Sequence, residues 1–175
     1  MKRIVLGVLI FAVVLFAIVF GVGLSLPVDH VASVRATFSA SAEDVFEAVS
    51  DYQRHPDWRP SVDRIEKLPP RDGREAWQEV GSTGPLPMEL TESDPPTRLV
   101  TTILSDGMPF GGRWIYEVEP APGGATLMIT EEGEVYNPIF RFVSRFIMGH
   151  HRTAKTFLQD LGRKFGDEMT VEVVR

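Results

Sequence analysis

The first apolar run is the longest feature of the chain. From Ile4 to Leu26 there are 23 residues without a charged side chain. As a helix rising about 1.5 Å per residue this run reaches about 34 Å, enough for a hydrocarbon core of about 30 Å. The alternative is a cleaved signal peptide, whose apolar core is typically about 7–15 residues long. The nearest small-residue cleavage pattern, Val31-Ala32-Ser33, does not follow the run directly. Length favours an uncleaved anchor, and a core helix apolar on all sides would need a larger protein around it. Lys2 and Arg3 precede the run, whereas Pro27, Val28, Asp29 and His30 come after it. That asymmetry predicts a cytoplasmic N-terminus and a soluble domain on the outer, extracytoplasmic side.

Beyond Pro27 the pattern changes to alternation. Val31, Ser33, Arg35 and Thr37 oppose Ala32, Val34, Ala36 and Phe38, as in a strand with one apolar face. Ser41 is placed to cap a helix, with Glu43 and Asp44 in its first turn. Ala42, Val45, Phe46 and Val49 carry that helix to about Ser50. Pro56 and Pro60 break the segment 51–60 into a turn or second short helix. Further strands are expected over 62–68, 76–81, 88–93, 99–104, 113–119 and 125–136, separated by Pro- and Gly-rich turns. Short strands joined directly by turns predict an antiparallel meander, not βαβ units.

The C-terminal segment predicts one continuous helix of about 28 residues, or about 42 Å. Asn137 caps it, Pro138 suits its first position and Gly166 its end. Its stripe includes Ile139, Phe142, Val143, Phe146, Ile147, Ala154, Phe157, Leu158, Leu161 and Phe165. The last residues, Met169 to Val174, add a short strand or stay frayed. The fold class expected is α+β: a curved antiparallel sheet wrapped on a long C-terminal helix, after one transmembrane helix. Three parts are expected: an anchor over 1–27, a domain over 28–168 and a tail over 169–175.

Composition then removes several functions. There is no cysteine, which excludes disulfides, a cysteine nucleophile and thiolate metal sites. Without Lys2 and Arg3 the remainder holds 16 basic and 24 acidic residues, a net charge of −8. Such a surface repels phosphate backbones, so no nucleic-acid partner is expected. Oligomeric state is not written in this pattern.

No phosphate loop, zinc-protease helix, nucleophile elbow or dinucleotide fingerprint occurs; Gly81-Ser82-Thr83-Gly84 is a turn without the required lysine. Neither metal nor cofactor is expected, and no catalytic residue is assigned. A sheet bent away from its helix would open an apolar cavity, the usual site of a ligand. Candidates to line it are Phe46 and Val49 on the first helix and Trp58 in the proline-flanked turn. Met108 and Phe110, among glycines in the loop 105–112, form a cavity gate, a membrane-dipping tip or an ordinary hairpin tip. Trp114 and Tyr116 share strand parity, either to pack a flat or isoprenoid ligand or simply as core. Ile129 and Glu131 share a face of the last strand, where an inward carboxylate would have a raised pKa; Glu79, Glu89 and Glu92 are further candidates. Phe146, His150 and Phe157 complete the set from the C-terminal helix. His150 is either a polar group projecting into the cavity or a helix histidine bonded to a strand carbonyl.

Three stretches carry a family resemblance. One is Phe38 to Tyr52 with the subsequent His55-Pro56-Asp57-Trp58-Arg59-Pro60; another is Gly111 to Val118 with Gly123 to Glu131; the third is Thr156 to Gly166. Together they resemble the START/polyketide-cyclase superfamily, SRPBCC, with its helix-grip fold, across about His30 to Asp167. The resemblance implies a cavity for an apolar small molecule, and it supplies no invariant catalytic motif. The leading expectation is a membrane-anchored binder or carrier of a lipid or isoprenoid. The rivals are a cyclase or dehydratase-like enzyme using Tyr116, His150 and one glutamate, and a tethered interaction domain without ligand.

Overall fold

The computed structural model describes residues 1–82 and 84–175. Helix α1, Lys2–Ser25, is followed by β1, Asp29–Phe38, after an extended Leu26. Helix α2, Ala42–Ser50, starts where the Ser41 hydroxyl accepts the Asp44 amide, and a 3-10 turn, Tyr52–Asp57, comes next. Then come β2 Val62–Arg71, β3 Arg74–Gly81, β4 Gly84–Asp94, β5 Arg98–Ile103, β6 Phe110–Ala121 and β7 Gly124–Val135. The turn 81–84 contains Thr83, which lies outside the described residues.

The strands form one sheet in the order β2-β3-β4-β5-β6-β7-β1, with the two-residue β8, Glu172–Val173, on the outer edge of β1. All pairings are antiparallel. The meander from β2 to β7 results from strands linked by turns too short for a crossover, whereas β1, joined to β2 through α2, closes the order by pairing with β7. Residues alternate faces along each strand, so register decides which side chains point inward. Val34 lies opposite Ile129, Tyr116 opposite Ile129 and Leu99 opposite Tyr116, all on the inner face. That face carries the core: Val34, Phe38, Leu127 and Ile129 from the sheet, Val45 from α2, and Phe157, Leu158 and Leu161 from the C-terminal helix.

The expected continuous C-terminal helix is corrected. Helix α3 spans only Pro138–Val143, a π-helical turn covers Ser144–Met148, and α4 spans Arg152–Phe165. Asn137 does cap α3, accepting the Ile139 and Phe140 amides, and Gly166 ends α4 in the left-handed region. The break is at Gly149, whose φ of 74° lies outside the helical range for side-chain-bearing residues. Its cause is tertiary. Instead of lying on the sheet, α3 packs on the end of α1, and the Arg141 guanidinium donates to the Leu26 carbonyl at 2.9 Å. Helix α4, about 21 Å long, is left with α2 to cover the sheet's inner face. Leu86, Leu90 and Ile103 on that face stay half-exposed.

Candidate functional site

The polar interior is assembled from four elements. His55 and Arg59 come from the turn after α2, Glu79 from β3, Thr101 from β5 and Tyr116 from β6. Pro56 and Pro60 fold the turn back onto the sheet, which turns His55 inward to 4 % exposure. His55 Nε2 donates to the Val49 carbonyl at 3.1 Å, fixing the ring against α2. Its Nδ1 lies 3.1 Å from Glu79 Oε1 and 2.9 Å from Arg59 Nη1, while Arg59 Nη1 donates to Glu79 Oε1 at 2.7 Å.

Burial opposes the charge on Glu79. The contact with His55 and the Arg59 guanidinium outweigh it and hold the carboxyl below the usual carboxylate range. The Tyr116 hydroxyl is pushed well above its ordinary range, mainly by burial, so it stays neutral and serves as a hydrogen-bonding group. Aromatic rings close round this cluster. Phe157 lies 5.3 Å from Trp58, 5.9 Å from Trp114 and 5.6 Å from Tyr116, with the Arg59 guanidinium 5.0 Å from its centroid. On the other side Tyr52 stacks on Trp77 at 4.0 Å.

Between these walls is a recess of about 20 Å3, reached by Val49, His55, Trp77, Glu79, Thr101 and Tyr116 among others. That is room for about one water. Trp77 and Thr101 line it, and the Trp58 ring lies 5.2 Å from that of His55; Trp58 Nε1, Trp77 Nε1 and Thr101 Oγ1 are buried, and none has a hydrogen-bond partner among the described residues. A wider recess of about 490 Å3 lies elsewhere, open to solvent and lined by outer-face groups such as Val31, Thr102, Arg113 and Glu132.

A second polar group sits toward the α1 end of β1 and β7. His30 Nε2 lies 3.2 Å from Glu131 Oε1, and the His30 ring stacks on His150 at 3.9 Å. Gly133 opposite leaves space that the His30 ring fills; a β-carbon there would overlap it. His150 is held below its usual value by burial first and by His30 next, with Glu131 opposing.

The residues singled out from sequence therefore separate. Val49 and Tyr116 reach the small recess, and Trp58, Trp114 and Phe157 form its aromatic surround. Phe46 and Ile129 lie in the packed core. Glu131 faces inward as its parity predicted, but it joins His150 at the separate His30 group. Neither histidine of the 150–151 pair is on a helix, and His150 meets a ring where a strand carbonyl was the alternative. Phe146 is 60 % exposed and meets Phe142, Phe110 is 37 % exposed, and Met108 stays in the loop 104–109. Of the other glutamates, Glu89 pairs with Arg74 and Glu92 with Arg98. His55, Arg59 and Thr101 were not singled out. The i, i+4 spacing of His55 and Arg59 was the available signal, in a turn whose prolines hide any face.

Comparisons with known proteins agree on the fold. Residues 29–166 match the family described as polyketide cyclase / dehydrase and lipid transport. Among solved structures, a START superfamily protein from Mycobacterium smegmatis superposes with a TM-score of 0.62 at 17 % identity, covering 78 % of this chain and 97 % of that one. Norcoclaurine synthase from Thalictrum flavum gives 0.61 at 13 % identity, covering 81 % and 88 %. The Zhui aromatase/cyclase from Streptomyces sp. R1128 gives 0.63 at 11 % identity, covering 79 % and 94 %. No curated protein matches the chain by sequence. With most of the domain inside the family match and a sheet that folds over α4, this chain belongs to the polyketide cyclase / dehydrase and lipid transport family.

Proposed function

We propose that this protein is a membrane-anchored binding or carrier domain for an apolar small molecule with one polar end, in the class of lipids and isoprenoids. The ligand lies between the inner face of the sheet and α4, its polar end toward Tyr116 and Thr101. The observation that carries this reading is the set of unpartnered groups, Thr101 Oγ1, Trp58 Nε1 and Trp77 Nε1, buried around the His55–Arg59–Glu79 cluster. Buried polar groups without partners each cost about 1–3 kcal/mol, a cost that a ligand bearing a hydroxyl or carbonyl removes. The recess of about 20 Å3 is the closed form, and ligand entry widens it toward the partly buried Leu86, Leu90 and Ile103, which pack on Tyr52, Trp77 and Met88. Burying about 300 Å2 of apolar surface would favour binding by roughly 7 kcal/mol before ordering costs.

Helix α1 is long and apolar enough to cross a bilayer. In this reading it does so with Lys2 and Arg3 inside and the domain outside, which confines exchange of cargo to the membrane that holds it. A catalytic reading, cyclase or dehydratase-like, is supported by the convergence of Glu79 and Tyr116 on one recess. It is the weaker of the two. Glu79 is already paired and held ionised, which makes it a weak base, and Tyr116 gives up its proton with difficulty. Mass spectrometry of a solvent extract from the full chain, purified in mild detergent, tests the proposal. One apolar species near equimolar amount is expected, and an extract holding only the bulk membrane lipids in their bulk ratio counts against it.

A further inference from the structure

The break at Gly149 leaves an apolar surface that the sheet does not use. Phe140 on α3, which packs against the end of α1, is 53 % exposed, and Phe146, Ile147 and Met148 on the π-helical turn after it are 60 %, 70 % and 52 % exposed. Monomeric proteins rarely show water a contiguous apolar patch of this kind. Its charge is equally unlike the rest of the domain. From Pro138 to Gln159 there is no acidic residue, while Arg141, Arg145, Arg152 and Lys155 are basic, in a soluble part whose net charge is −8. Position supplies the third observation. Gly23, near the C-terminal end of α1, is the buried residue of that helix, and it abuts the Pro138 backbone. A helix that crosses the bilayer must therefore deliver α3 to the bilayer surface.

We infer that the segment from Pro138 to Lys155 is a second membrane contact, a foot whose exposed apolar side chains enter the interface while the exposed Arg145 and Arg152 meet anionic lipid headgroups. The inference rests on the reading of α1 as membrane-spanning. Apolar area together with basic charge is what holds a segment in the plane of an anionic interface. The foot fixes the tilt of the domain as well as its distance from the membrane. It turns the junction of α3 and α4, and the His30–His150 stack behind it, toward the lipid.

The absence of cysteine allows single environment-sensitive labels in the full chain, reconstituted in vesicles of phosphatidylcholine alone or with phosphatidylglycerol. Ile147→Cys reports the foot, Phe11→Cys the anchor, and Pro122→Cys the β6–β7 turn at the opposite end of that hairpin from Phe110. The label at 147 should be quenched by shallow spin-labelled lipid at least twofold more than the label at 122. That quenching should rise further with phosphatidylglycerol and lose the rise in Arg145→Glu/Arg152→Glu, whose side chains are exposed and tolerate exchange. A label at 147 as exposed to water as that at 122, with the label at 11 deep in the bilayer, overturns the foot and leaves the anchor standing. A label at 11 in water overturns the spanning reading itself. Insertion at 147 without dependence on anionic lipid overturns the headgroup part.

Discussion

Gly23 and Pro138 touch backbone to backbone: a β-carbon at position 23 would overlap the Pro138 carbonyl oxygen. This contact fixes where the apolar helix leaves off and the domain begins, and it is the reason α3 leaves the sheet. Gly23→Leu is expected to force α1 and α3 apart at a local cost of about 1–3 kcal/mol, the usual range for overpacking. Hydrogen exchange should quicken over 138–148, while the melting of the sheet core, which does not include this contact, stays unchanged. Unchanged exchange there would mean that the two helices do not pack.

Glu79 contributes stability that depends on acid. Its folded-state pKa lies below the ordinary carboxylate value of 4.5 because His55 and Arg59 outweigh burial. A lowered carboxylate pKa favours folding above the unfolded value and loses that contribution as pH falls through the folded one. Urea midpoints should thus be flat above about pH 5 and fall below about pH 4. Glu79→Gln leaves Arg59 buried without its carboxylate and should cost about 3 kcal/mol at neutral pH, with the acid dependence reduced.

His150 acts in a different pH window. Burial and His30 lower its pKa from the usual 6.5, against the pull of Glu131, with Arg145 and His151 also adverse to its charge. A base held neutral in the fold favours folding above its unfolded value and loses that favour as pH drops below 6.5. Protection of amides 144–152 should fall between pH 7.5 and 5.5, and His150→Gln should flatten the change. Protection that increases on acidification would reverse the assigned direction.

Phe157 is the centre of the aromatic surround, 2 % exposed and in contact with Trp58, Trp114 and Tyr116. Phe157→Ala should cost about 3–5 kcal/mol in chemical denaturation, as large aromatic truncations in packed cores do. A loss under about 1 kcal/mol would place this ring outside the core.

The legible and illegible parts of this molecule divide on physical grounds. The meander was readable because alternation and Pro-Gly turns are local signals. Glu131 on the inner face came from the same parity, and Asn137, Pro138 and Gly166 marked the ends of the C-terminal region. The break was not readable. Phe146 and Ile147 continue the 3.6-residue stripe of Phe157 and Leu161, and periodicity reports that a face is apolar without saying what covers it. Here one part of the stripe meets the sheet, while Phe146 and Ile147 before the break stay exposed. His55 escaped for the opposite reason: a proline-broken turn has no period, so only the folded chain reveals that its imidazole is buried against Glu79. Glu79 could be named but not ranked, since a one-residue slip in register reverses the face of every side chain on a strand.

The space proposed to take up an apolar molecule lies between the sheet and α4. All three tryptophans, Trp58, Trp77 and Trp114, lie on or beside that space, so their fluorescence reports it directly. The most direct measurement is titration of the full chain, in nanodiscs of unlabelled lipid, with a brominated long-chain alcohol. Tyr116→Phe and Thr101→Val serve as matched variants. Saturable quenching with about one molecule bound per chain and at least fivefold weaker binding in the double variant are expected. Quenching that rises linearly without saturation, and equally in wild type and variant, would rule out binding in this space.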